Sequence, residues 1–60
     1  MNNWRYINPI TLYKKVGVEV WIVYIEWKMN REVYRLFSND KEIGVYQSMV
    51  EVDSAVGGVQ

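Results

Sequence analysis

The sixty-residue chain has no cysteine and no histidine. Without cysteine it cannot be stapled by disulfides or hold a thiolate metal site, and a reducing compartment suits it. Without histidine, imidazole ligation and imidazole acid–base chemistry are both excluded. Charge of one sign is also lacking, since seven Lys and Arg balance seven Asp and Glu. Sequence-independent nucleic-acid binders normally carry a basic excess that neutralises phosphates, so this balance ranks nucleic acid below protein partners. A net charge near zero favours association between chains. The apolar run Val20 to Ile25, bracketed by Glu19, Glu26 and Lys28, is far shorter than the ~20 residues of a membrane helix. The start MNNWRYINP has neither the basic beginning nor the apolar stretch of a signal peptide, so a cytoplasmic location in the host cell is expected, with no membrane partner.

What is present is a strand with large apolar side chains on both faces. In VEVWIVYIEWKM one face reads Trp21, Val23, Ile25, Trp27 and Met29. The other reads Val20, Ile22 and Tyr24 before turning charged at Glu26 and Lys28. A strand apolar on both sides needs cover on both sides. Yet a domain of this size removes only about 60% of the surface its unfolded chain exposes. Self-association is therefore expected, most simply a homodimer, with Trp21, Val23, Ile25 and Trp27 as the shared surface. The alternative is an N-terminal lid in which Trp4, Tyr6 and Ile7 fold back over the uncovered face.

The turn signals divide the chain into one small domain. Residues 1–10 read as an N-terminal arm punctuated by Pro9, with Asn8 extended before it. A short strand is expected near 11–15 and a long one near 18–29, separated by a turn or bulge at Gly17. Asn30-Arg31 and Asn39-Asp40 read as hairpin turns, enclosing a strand at 32–38 and followed by one at 41–47. If Ile43 and Val45 share a face, Tyr46 points away from the core, and a bulge at Gly44 would bring it back. Ser48 and Glu51 then form a capping box, and Gly57-Gly58 supply a stop, giving a short helix over 48–57 with Met49, Val52, Ala55 and Val56 on one side. Residues 58–60 are a tail. The expected class is α+β and β-rich, an antiparallel meander of three to four strands followed by one short C-terminal helix.

From Val33 onward, the tyrosine-bearing strand VYRLF, a turn, a second strand and then Tyr46, Ser48 and Glu51 resemble the tails of small accessory proteins encoded by phages and prophages. The resemblance implies a protein that binds a host component, such as a defence protein, and inhibits it without catalysis.

The residues themselves offer little catalytic chemistry. Glu26 and Glu42 could meet across strands, but nothing in their spacing requires it, and solvated carboxylates are the ordinary case. Gly57-Gly58 lacks the lysine and the strand-to-helix context of a phosphate loop. Ser48 has no histidine to activate it and is better explained as a cap. No catalytic, cofactor-binding or metal-binding residue is expected, and no enzyme.

Binding is better supplied, because nine of the sixty residues are aromatic and several adjoin cations. Trp4, Arg5, Tyr6, Tyr34 and Arg35 are the candidate partner-binding residues, of types enriched at protein hot spots. A second reading is a nucleotide or single-stranded nucleic-acid module using a sheet platform of Tyr34, Arg35, Phe37 and a tryptophan. A third is a structural subunit of a phage particle or larger assembly.

Overall fold

The computed structural model describes residues 4–58. They form five strands and one helix in the order β1 (Arg5–Asn8), β2 (Thr11–Val16), β3 (Glu19–Lys28), β4 (Arg31–Ser38), β5 (Lys41–Tyr46) and α1 (Met49–Gly58). The strands make a single antiparallel sheet in sequence order. The chain is thus β-rich with one C-terminal helix, but the sheet has five strands where three to four were expected. The additional strand is β1, drawn from the segment read as an arm. Its four residues are all exposed, so it has no apolar alternation to announce it, and it is an edge strand held by β2 alone.

The three hairpins that join β2 to β5 each contain at least one residue at positive φ. Gly17 lies at φ 62° as the first residue of the two-residue β2–β3 turn, where a side chain would be strained. Asn39 and Asp40 lie at φ 51° and 68°, the pattern of a type I′ turn. Asn39 also ties this turn to β3: its amide N–H donates to the Val20 carbonyl, and its Oδ1 accepts from the Val20 N–H. The β3–β4 turn is one residue earlier than expected, at Met29 and Asn30, with φ 51° and 63°. Lys28 pairs with Arg31, so the centre of that hairpin cannot lie between Asn30 and Arg31.

The helix covers one face of the sheet. Leu12, Trp21, Val23 and Leu36 from the strands pack with Val52 and Val56 of α1 as the buried core. Trp4, Val16, Ile25, Tyr34, Tyr46, Met49 and Ala55 surround them. The capping box forms with one residue of offset: the Glu51 N–H donates to Ser48 Oγ, while the Glu51 carboxylate accepts from the Gln47 N–H. Expectation and structure agree on the β5 irregularity. The β4–β5 register shifts at Leu36/Phe37, so that Phe37 pairs with Glu42 and Leu36 with Gly44. Ile43 is the extra residue, and Tyr46 thereby turns toward the core.

Candidate functional site

Strand alternation and register sort every sheet residue onto one of two faces. Trp21 and Val23 are 1% and 0% exposed, sealed beneath α1 by the chain's own residues. They are therefore not a surface for another copy, and the helix meets the need that had suggested one on that face. Ile25 is half-buried at the margin of this core. Trp27 is 66% exposed, beyond the reach of the helix. Of the four residues expected to self-associate, only Trp27 is presented to solvent as a whole ring.

The expected lid closes differently. Trp4 donates its indole N–H to Asp53 of α1 at 2.7 Å, and the Lys14 ammonium sits 5.4 Å from its ring centroid. Trp4 thus seals the flank of the helix-covered face. Tyr6 and Ile7 run on as edge strand β1 and are exposed. None of the three lies over the opposite face.

That opposite face is open. It carries Tyr13 from β2, Val20, Ile22, Tyr24 and Glu26 from β3, Val33, Arg35 and Phe37 from β4, and Glu42 and Val45 from β5. Val20, Ile22, Tyr24 and Phe37, with Asn39 and Asp40 of the β4–β5 turn at the rim, enclose a concavity of about 580 Å³. Tyr24 and Phe37 meet edge to face, their centroids 5.4 Å apart and their planes at 82°. Such a pair presents a floor and a wall, since both rings cannot lie flat on the sheet.

Arg35 occupies the middle of this face between two carboxylates. Its guanidinium is 3.5 Å from Glu26 and 3.8 Å from Glu42. The two glutamates do share a face, across three strands, and the arginine between them makes them counter-ions. Both contacts are longer than good hydrogen bonds, and side chains this exposed gain only about 0–1 kcal/mol from such a pair. The guanidinium has a carboxylate on either side, while its Nε–H is shielded from water and lacks a hydrogen-bond partner among the described residues.

The candidate partner-binding residues do not form one surface. Arg5 and Arg35 belong to the open face, while Trp4, Tyr6 and Tyr34 belong to the other. Tyr34 donates its hydroxyl to Glu32 at 2.9 Å. That bond, then burial, then the nearby Glu32 charge raise its pKa above the usual tyrosine value. The platform expected around Tyr34, Arg35, Phe37 and a tryptophan is likewise divided, because adjacent strand residues point opposite ways. The aromatic members actually gathered are Tyr13, Tyr24 and Phe37. Tyr24 was legible as a member of the two-sided pattern and Tyr13 only as part of the short strand expected near 11–15, and choosing their face required knowing which one the helix would take.

The ten residues of α1 are too few to cross a membrane, and no helix among the described residues is long and apolar enough to do so. No group of three or more acidic residues lies together as a metal site among them. No protein-family model, curated protein or solved structure matches the chain.

Proposed function

We propose that the chain is a non-catalytic binding module whose working surface is the open face of its sheet. The observation that carries this reading is the asymmetry of cover. Helix α1 and Trp4 cover the core on one face, while the other keeps Tyr24, Phe37 and Ile22 around a concavity with the Arg35 guanidinium beside it. Apolar surface left on a small domain that already owns a closed core costs solubility without adding to that core, so its retention fits recognition. The groups on the face suit binding by contact, stacking and charge. Ser48, the one hydroxyl considered as a nucleophile, is used as a helix cap.

The same distribution argues for a monomer in place of the expected homodimer. Arg5, Lys15, Lys28, Arg31 and Arg35 all belong to the open face by register. A two-fold axis would set this positive field against its own copy.

The reading is tested by solution mass from light scattering, with NMR of the wild-type protein in a soluble paramagnetic agent. A monomer whose Tyr24 and Phe37 ring signals are broadened by the agent supports an open working face. A dimer in which those rings are protected overturns it in favour of self-association.

A further inference from the structure

The formal neutrality of the chain conceals a separation of charge between its two faces. Register places five of the seven cations, Arg5, Lys15, Lys28, Arg31 and Arg35, on the open face. Glu19, Glu32, Glu51 and Asp53 belong to the helix-covered side. The carboxylates within the open face, Glu26 and Glu42, are both committed to Arg35, and Asp40 stands at the rim. Among the described residues, four cations thus have no ion-pair carboxylate on that face: Arg5 and Lys15 on the β1–β2 side, Lys28 and Arg31 at the far hairpin. Between Val20 and Lys28 the long strand β3 spans about 26 Å at the usual rise per residue. The aromatic floor lies between these positive margins.

We propose that this face binds single-stranded nucleic acid, an inference that rests on the open face being the working surface. Bases stack in the corner formed by the perpendicular Tyr24 and Phe37 rings, with Tyr13 extending the floor. Phosphates lie along Arg5, Lys15, Lys28 and Arg31. The Arg35 side chain, partly exposed between its two glutamates, offers its outer guanidinium donors to a base edge. Aromatic rings on an antiparallel sheet flanked by cations bind single strands because every base has a stacking face, whereas a duplex hides its bases within the helix. A second copy of this chain fits the face less well, because it would bring the same cations with it.

The test uses fluorescence anisotropy of a labelled single-stranded oligonucleotide of about 12 nucleotides, as DNA and as RNA, within the length such platforms occupy. The tryptophans lie on the other face, so their emission is not the readout. Binding is expected to weaken with salt, log Kd rising with log salt at a slope of about 3 for four phosphates neutralised on a single strand. Tyr24→Ala should weaken binding about tenfold, as loss of one stacked base does. Lys28→Glu should lower the salt slope, while Lys41→Glu, on the other face, should leave affinity within about twofold. A duplex of the same sequence binding equally well would overturn the inference, as would equal losses from Lys28→Glu and Lys41→Glu. If no oligonucleotide binds while the paramagnetic agent still reaches Tyr24 and Phe37, the nucleic-acid inference fails and the module reading stands. Binding only to anionic vesicles, or only to a host protein through Tyr24, would also overturn it. If a second copy seals the rings, both readings fall together.

Discussion

The indole N–H of Trp4 donates to the carboxylate of Asp53 at 2.7 Å across 49 residues of sequence. This one contact fastens the start of β1 to the middle of α1. It also explains why Asp53 is half-buried, although helical periodicity alone puts it on the solvent side. A hydrogen bond to a charged acceptor contributes about 1.5–3 kcal/mol when both groups are shielded, and less here because they are only partly so. Trp4→Phe keeps a ring for Lys14 and the core but removes the donor. We expect it to cost about 1 kcal/mol, lowering Tm by roughly 4–8 °C in a domain of this size. Asp53→Ala should cost a similar amount. In the double variant the losses should not add, and a thermal-denaturation cycle giving simple additivity would show that the bond contributes nothing.

Gly44 is needed for the space above it. A Cβ at this position would stand 2.9 Å from the Tyr46 hydroxyl oxygen and 3.2 Å from its Cζ, because the Tyr46 ring folds back over its neighbour two residues earlier on the same face. The backbone at Gly44 is not in the left-handed region, so the obstacle is the ring and not the φ angle. Gly44→Ala gains about 0.4–1 kcal/mol by stiffening the unfolded chain. It loses more by pushing Tyr46 off the core, an overpacking cost of about 1–3 kcal/mol. The net expectation is destabilisation by about 1 kcal/mol, reduced when Tyr46→Phe removes the hydroxyl contact. Chemical denaturation of the two single variants and the double one checks both statements.

Tyr34 should be a late-titrating tyrosine. Its hydroxyl donates to Glu32, and this bond, burial and the glutamate's charge all favour the neutral phenol, raising the pKa above 10.0. The fold therefore holds the proton more tightly than the unfolded chain does. The corresponding stability is complete below the unfolded tyrosine value and is lost as pH rises through the folded one. Ultraviolet titration of tyrosinate should show one component displaced to alkaline pH, and Glu32→Gln should move it back. A titration curve unchanged by Glu32→Gln would contradict this account.

The parts of the fold legible in the sequence are those decided by residues close together. Asn39-Asp40 tolerates positive φ at both positions, and Ser48 and Glu51 form a cap within one helical turn, so both features appear where local chemistry puts them. The bulge in β5 was legible too, because Ile43, Val45 and Tyr46 cannot all satisfy one alternation. Strand β1 was not, since an exposed edge strand gains its place from β2's free backbone groups and shows no pattern of its own. The choice of open face was equally hidden. Trp21 and Val23 compete with Ile22 and Tyr24 on equal terms in the sequence, and the decision lies in where α1 and Trp4 meet. The candidate site inherits that ambiguity: Arg35 and Phe37 share a face by register, but Tyr34, the neighbour of Arg35, necessarily points the other way.

The displaced β3–β4 turn leads to the last prediction. Met29 occupies the first position of a two-residue turn at φ 51° and is 95% exposed. A methionine there gives up conformational ease without burying its side chain. It holds that place because the pairing of Trp27 with Glu32 and Lys28 with Arg31 sets the register, and a one-residue slip would turn every β3 side chain to the wrong face. Tertiary burial of Trp21 and Val23 thus outweighs the local preference of residue 29. A turn that needs positive φ at both positions is best served by Asn followed by Gly. Met29→Asn with Asn30→Gly should therefore stabilise the fold by about 1 kcal/mol or less, raising Tm by a few degrees. Backbone amide exchange at Lys28 and Arg31 should slow in proportion. An unchanged Tm with faster exchange there would mean that Met29 makes a stabilising contact, and that the register is set by the turn after all.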